Sequence, residues 1–79
     1  MDEPRDSLSI WTVYDHPKDF PKSFVARRFE CWKVLEPVPT GDLIISPDLP
    51  SLRQQLHERG LTRLPRNAGD DPKIIESWI

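Results

Sequence analysis

Two stretches of the chain hold side chains whose types and spacing suit chemistry. Asp15, His16 and Asp19 fall within five residues of one another, and Asp70 and Asp71 stand together near the end. Carboxylates and imidazoles are common ligands of divalent metals and common general acids and bases. A metal or small-ligand site at Asp15, His16 and Asp19 can therefore be drawn, provided the two stretches meet in space. The sequence carries no HExxH, no His pair at helical spacing and no glycine-rich phosphate cradle. The structural alternative is that Asp15 and Asp19 bind turn amides, Asp71 caps the tail and His16 is solvated, the usual role of Asp in turns.

Arg27 and Arg28 stand among Phe24, Phe29 and Trp32. Arginines interleaved with aromatics on an antiparallel sheet are how RNA-recognition modules hold single strands, the rings stacking on bases and the guanidinium groups meeting phosphates. The segment from Lys22 to Phe29 lacks the glycine and alternating aromatics of that pattern. A formal net charge of −2 supplies no field to draw in a polyanion. Arg63 and Arg66, either side of Leu64-Pro65, form a second basic pair able to clamp a carboxylate or phosphate by bidentate hydrogen bonds. Cys31 is the only cysteine, which excludes an internal disulfide and a multi-thiolate zinc site; the neighbouring Glu30 also disfavours a reactive thiolate. His57 falls on or beside the polar side of a helix as a surface residue. None of these motifs implies a cofactor, and no coherent catalytic set emerges.

The elements that position these residues follow from composition and pattern. At 79 residues the chain supports one domain, in which about 60% of the unfolded surface can be buried. Hydrophobic content of 37% with charged content of 30% is the mixture of a folding chain, not of a disordered one. There is no apolar run near the ~20 residues of a membrane span and no basic, apolar start of a signal peptide. The expectation is a cytoplasmic protein with no membrane association, consisting of a disordered leader over residues 1–7 and a single α+β domain over 8–79.

Ser9 to Tyr14 is β-branched and aromatic and predicts a first strand. Pro17 and Pro21 end it. Ser23 to Val34 predicts the longest strand, with Val25, Phe29 and Cys31 on one face interrupted by Arg27, and Phe24, Ala26 and Trp32 with Arg28 and Glu30 on the other. Both faces are thus partly apolar. Glu36 to Gly41 reads as a proline-rich turn before a short third strand, Asp42 to Ser46. Asp48 is placed to cap a helix with Pro50 in its first turn and Leu49, Leu52 and Leu56 on one stripe. Gly60 ends that helix and brings Leu61 back against Leu56. A turn-rich stretch from Pro65 to Pro72 leads to Ile74, Ile75, Trp78 and Ile79, read as a strand although a short helix capped by Asp71 fits the same spacing. The predicted fold is a small antiparallel sheet of three to four strands with one helix on it, in the order β-β-β-α-β. Trp11, Phe24, Phe29, Leu52 and Leu56 are the first core candidates. A domain this small and this aromatic also has reason to bury surface by self-association.

The segment Trp11-Thr12-Val13-Tyr14-Asp15-His16-Pro17, with Asp19-Phe20-Pro21 and Phe24-Val25-Ala26-Arg27-Arg28-Phe29, resembles a family of small bacterial proteins of uncharacterised function. Asp48-Leu49, Leu52-Arg53, Gly60-Leu61, Leu64-Pro65-Arg66, Gly69-Asp70-Asp71-Pro72 and Glu76-Ser77-Trp78 extend the resemblance over nearly everything after Leu8. It implies a stand-alone bacterial domain and brings no activity or site residue with it. A well-specified scaffold without catalytic residues points to a protein-interaction or adaptor module, whose partner is another protein or a second copy. The alternatives are a single-stranded nucleic-acid-binding module using Arg27 and Arg28, and metal or small-ligand binding at Asp15, His16 and Asp19.

Overall fold

The computed structural model describes residues 8–31, 37–66 and 71–79. The expected leader over 1–7, the end of the second strand with Trp32, and Asp70 lie outside the described residues. Within them the order is β1 (Leu8–Asp15), β2 (Phe24–Cys31), β3 (Val38–Ser46), α1 (Leu49–Glu58), β4 (Arg63–Pro65) and β5 (Ile74–Trp78). The strands form one antiparallel sheet in the order β3-β2-β1-β5-β4. The α+β class and the strand at the tail are as expected. The strand count is corrected to five, because β4 follows the helix where a bare connection was expected. Its cause is local: Thr62 and Ile79 exchange two backbone hydrogen bonds, 2.6 and 2.9 Å, which lay Arg63–Pro65 along β5. Pro65 is tolerated because β4 is an edge strand.

The third strand is also longer than its sequence suggests. It begins at Val38, with Pro39 on the other edge of the sheet, where a missing amide costs no ladder bond. The residues expected to form a turn instead make a bulge: the pairing runs from Arg27–Leu43 to Phe29–Pro39, so that Arg28 faces several residues of β3. Gly41 holds φ +91 in this bulge, a conformation only glycine takes without strain. The Thr40 hydroxyl donates to the Arg28 carbonyl at 3.2 Å, replacing the lost ladder bond.

Alternation along the strands decides which residues meet the helix. Trp11 and Val13 of β1, Ala26 of β2, Ile44 of β3 and Trp78 of β5 form one buried cluster with Leu52 and Leu56 of α1, edged by Phe24, Leu49, Leu61 and Ile75. Asp48 stands at the helix start in extended conformation, but its side chain caps no amide; it accepts from the Ser51 hydroxyl at 3.1 Å instead. Gly60, at φ +80, closes the helix with its amide donating to the His57 carbonyl at 2.9 Å. Phe29 is not in this cluster. It pairs with Ile10 on the opposite face of the sheet, which correction follows from its odd position in a strand whose even positions face the helix.

Candidate binding site

Three groups of residues were expected to carry function, and the fold treats each differently. The Asp15 and Lys73 backbones meet in a 2.8 Å hydrogen bond, and the Lys73 ammonium donates to the His16 carbonyl at 3.3 Å, so the two loops do adjoin. Their acidic side chains are occupied by near neighbours in the loops and in β2. Asp15 contacts the His16 ring, Asp19 pairs with Arg27, and Asp71 accepts the Lys73 amide at 2.8 Å. The Arg27 hydrogen bond holds the Asp19 carboxyl below its ordinary value. His16 takes φ 50 and sets its ring edge-on to Phe24, 4.7 Å between centroids. Among the described residues no three His, Cys, Asp or Glu side chains gather as a metal-holding group.

Arg27 and Arg28 are adjacent in β2 and so lie on opposite faces. Arg27 is on the helix-free face, its guanidinium 5.8 Å from the Tyr14 ring centre and paired with Asp19. Arg28 is on the helix face, beside the Gly41 bulge. There it donates to Asp42 at 2.7 Å and to Ser9 at 3.1 Å, and it pairs with Glu30. The hydrogen bond to Asp42, joined by the charges of Asp42 and Glu30, raises the Arg28 pKa above its already high value. The two arginines cannot act on one ligand.

Arg63 and Arg66 do come together. They line a cleft of about 430 Å³ with Pro65, Ile75, Glu76 and the helix residue Arg53. Its floor is Glu76, whose side chain is only 3% exposed. Arg53 binds this carboxylate with both prongs, Nε to Oε2 at 3.0 Å and NH2 to Oε1 at 2.7 Å, the fork geometry that makes guanidinium–carboxylate pairs strong. The Trp78 indole donates to Oε2 at 2.9 Å, and Arg63 stands 3.6 Å from Oε1. Burial pushes the Glu76 carboxyl up, but the hydrogen bonds from Arg53 and Trp78, with the charges of Arg53 and Arg63, outweigh it and leave the pKa lowered. Bonding to Glu76 raises Arg53 in turn. No buried side-chain nitrogen or oxygen among the described residues lacks a partner.

The face away from the helix forms a second surface. Ile10, Thr12 and Tyr14 of β1, Phe29 of β2, Pro37 and Ile74 of β5 line a shallow apolar groove of about 240 Å³. Towards the sheet edges, Leu43 is 39% exposed, Ile45 45% and Leu64 39%. The register puts Leu43 opposite Arg27 and Ile45 opposite Val25, on this same face. No helix of the described residues covers it, and none is long and apolar enough to cross a membrane.

Comparison with protein-family models, with curated proteins and with solved structures found no match.

Sequence reasoning found Arg63 and Arg66 but missed Arg53 and the role of Glu76. The two are 23 positions apart, and no local spacing joins a helix side chain to a distant strand. The apolar far face did leave a signal. In Ile10-Trp11-Thr12-Val13-Tyr14, large side chains occupy both parities, which a strand covered on one face alone does not require.

Proposed function

We propose that this chain is a protein-interaction module that docks an apolar surface of a partner protein on the helix-free face of its sheet. The observation that carries the reading is the exposure of Leu43, Ile45 and Leu64 beside the Ile10–Tyr14–Phe29 groove. Leu43 and Ile45 at the β3 edge and Leu64 at the β4 edge are joined across this face by the apolar groove between them, and a continuous exposed apolar face marks an interaction site. The scaffold beneath them has β1 paired on both sides and its opposite face packed against α1.

The test is affinity capture with the wild-type chain and with a Leu43→Asp, Ile45→Asp double variant, run with nuclease and with the thermal melt of each recorded. Both positions are partly exposed strand sites, so each substitution should cost about 1 kcal/mol and leave the fold intact. A protein captured in stoichiometric amount by the wild type and lost by the folded variant supports the reading. A second copy in that role would show as a dimer that the variant dissolves. A partner retained equally by both proteins overturns the reading.

A second reading, single-stranded nucleic-acid binding, is favoured by one observation: Tyr14, Phe29 and Arg27 share this face. Against it, Arg27 is already paired with Asp19, and Arg28 lies on the other side. Binding of an oligonucleotide that weakens steeply with salt and depends on Arg27 would replace the protein partner.

A further inference from the structure

The arginine cleft at the β4 edge differs in one respect from the described arginines of β2 and the helix segment. Arg27, Arg28 and Arg53 each hydrogen-bond a carboxylate, and Arg59 lies over the Trp11 ring at 5.2 Å. Arg63 does neither. Its guanidinium stands 3.6 Å from Glu76 Oε1, beyond hydrogen-bond reach, and its side chain is 56% exposed. The guanidinium therefore keeps its forked set of donors unspent while being held in place at one end by attraction to a fixed, buried carboxylate.

We infer that the cleft between α1 and β4 is a recognition site for the carboxylate of an acidic peptide, with Arg63 as the group that grips it. Glu76 is fully engaged by Arg53 and Trp78, so it anchors the floor without competing for the donors of Arg63. Arg53 and Arg63 together exceed Glu76 by one positive charge, which one incoming carboxylate balances. Arg66 also lines this cleft. The fork of a guanidinium matches the planar geometry of a carboxylate, whereas a phosphate dianion would bring more charge close to Glu76. Pro65 and Ile75 supply apolar walls for the aliphatic stem of a glutamate side chain, and the cleft is large enough to hold it. Arg53, Glu76 and Trp78 project from the helix-bearing side of the sheet, so this site is independent of the apolar face and of the function proposed for it.

The experiment is a 1H–15N NMR titration of the full chain with acetyl-Glu-Glu-Glu-amide. Acetyl-Gln-Gln-Gln-amide and inorganic phosphate serve as parallel arms. The expected result is a saturable shift of the Trp78 indole N–H, which reports on Glu76, and of the Arg63 side-chain N–H, from the glutamate peptide alone. Arg63→Gln should weaken that binding about tenfold or more, the weight of one charge-assisted hydrogen bond. Arg63→Lys, which keeps the charge but not the fork, should fall between. The Leu43→Asp, Ile45→Asp variant should bind as the wild type does. An equal response to the glutamine peptide, a response to phosphate alone, or no saturable response would each overturn the inference. So would unchanged affinity in an Arg63→Gln protein whose other resonances keep their native positions.

Discussion

Replacing Arg53 with Met keeps an apolar stem at the position while removing the two hydrogen bonds to Glu76. The carboxylate then stays almost wholly buried with the Trp78 indole on one oxygen and Arg63 at 3.6 Å from the other. Removing one partner of a buried ion pair costs about 3–5 kcal/mol. Arg53 is itself 38% exposed, so solvent screens the pair, and the remaining partners soften the loss; about 2 kcal/mol is the expected penalty at neutral pH. For a domain of this size that is a fall in melting temperature of about 8–16 °C. The penalty depends on pH in a definite direction. The Glu76 pKa is lowered in the folded wild type, so the pair stabilises fully above the ordinary carboxyl value of 4.5 and loses its contribution as pH falls through the lowered folded value. In the variant, burial acts against fewer opposing contacts, so the advantage of the charged form shrinks. Melts followed by circular dichroism from pH 7 down through the acid range should therefore show the two proteins converging. A gap that stays constant down the pH series would refute the argument, since it would mean that the loss does not come from the charged form of Glu76.

Three further outcomes follow from the packing and the backbone. Leu52→Ala empties a completely buried position between helix and sheet and should cost about 2–5 kcal/mol in urea unfolding; Leu64→Ala, on the exposed edge, should cost less than about 0.5 kcal/mol. Gly60→Ala meets no atom within 4 Å but must hold φ +80, so its destabilisation of about 1–2 kcal/mol would be backbone strain alone, and a melt equal to the wild type would contradict the left-handed assignment. Gly41→Ala, at φ +91 with the same open surroundings, should behave alike and additionally loosen the bulge, seen as faster amide exchange at Asp42, whose amide is bound to the Thr40 hydroxyl at 3.2 Å.

The parts of the fold that were legible in the sequence are those whose cause is local. Leu49, Leu52 and Leu56 repeat at helical spacing, Gly60 stands where a left-handed turn is required, and Ser9 to Tyr14 is strand-forming in composition. The first and second strands also pair as chain neighbours commonly do. What was not legible depends on distant chain. Arg63–Pro65 has no strand pattern of its own and becomes β4 only because Thr62 and Ile79 meet. Pro39 and Gly41 read as a turn, and they sit in a strand because an edge and a bulge tolerate them. Phe29 looked like core since it is large and apolar, yet its position in β2 sends it to the helix-free face. The site divides in the same way. Arg63 and Arg66 were visible as a pair close in sequence, and Arg53 and Glu76 joined them only through the reach of a helix side chain to β5.

The placement of β5 has a consequence for how the chain reaches this structure. The hairpins β1–β2 and β2–β3 close over short stretches, but β5 must enter between β1 and β4 and set Trp78 beside Trp11, almost the full length of the described chain away. Until it does, one long side of β1 has no ladder and the Leu52–Leu56 stripe has an incomplete floor. The slow event in folding is thus the capture of the last strand, since loop entropy must be lost before those contacts form. Loosening the seam between Trp11 and Trp78 would slow arrival at the native state, whereas loosening the β3 edge would mainly hasten departure from it.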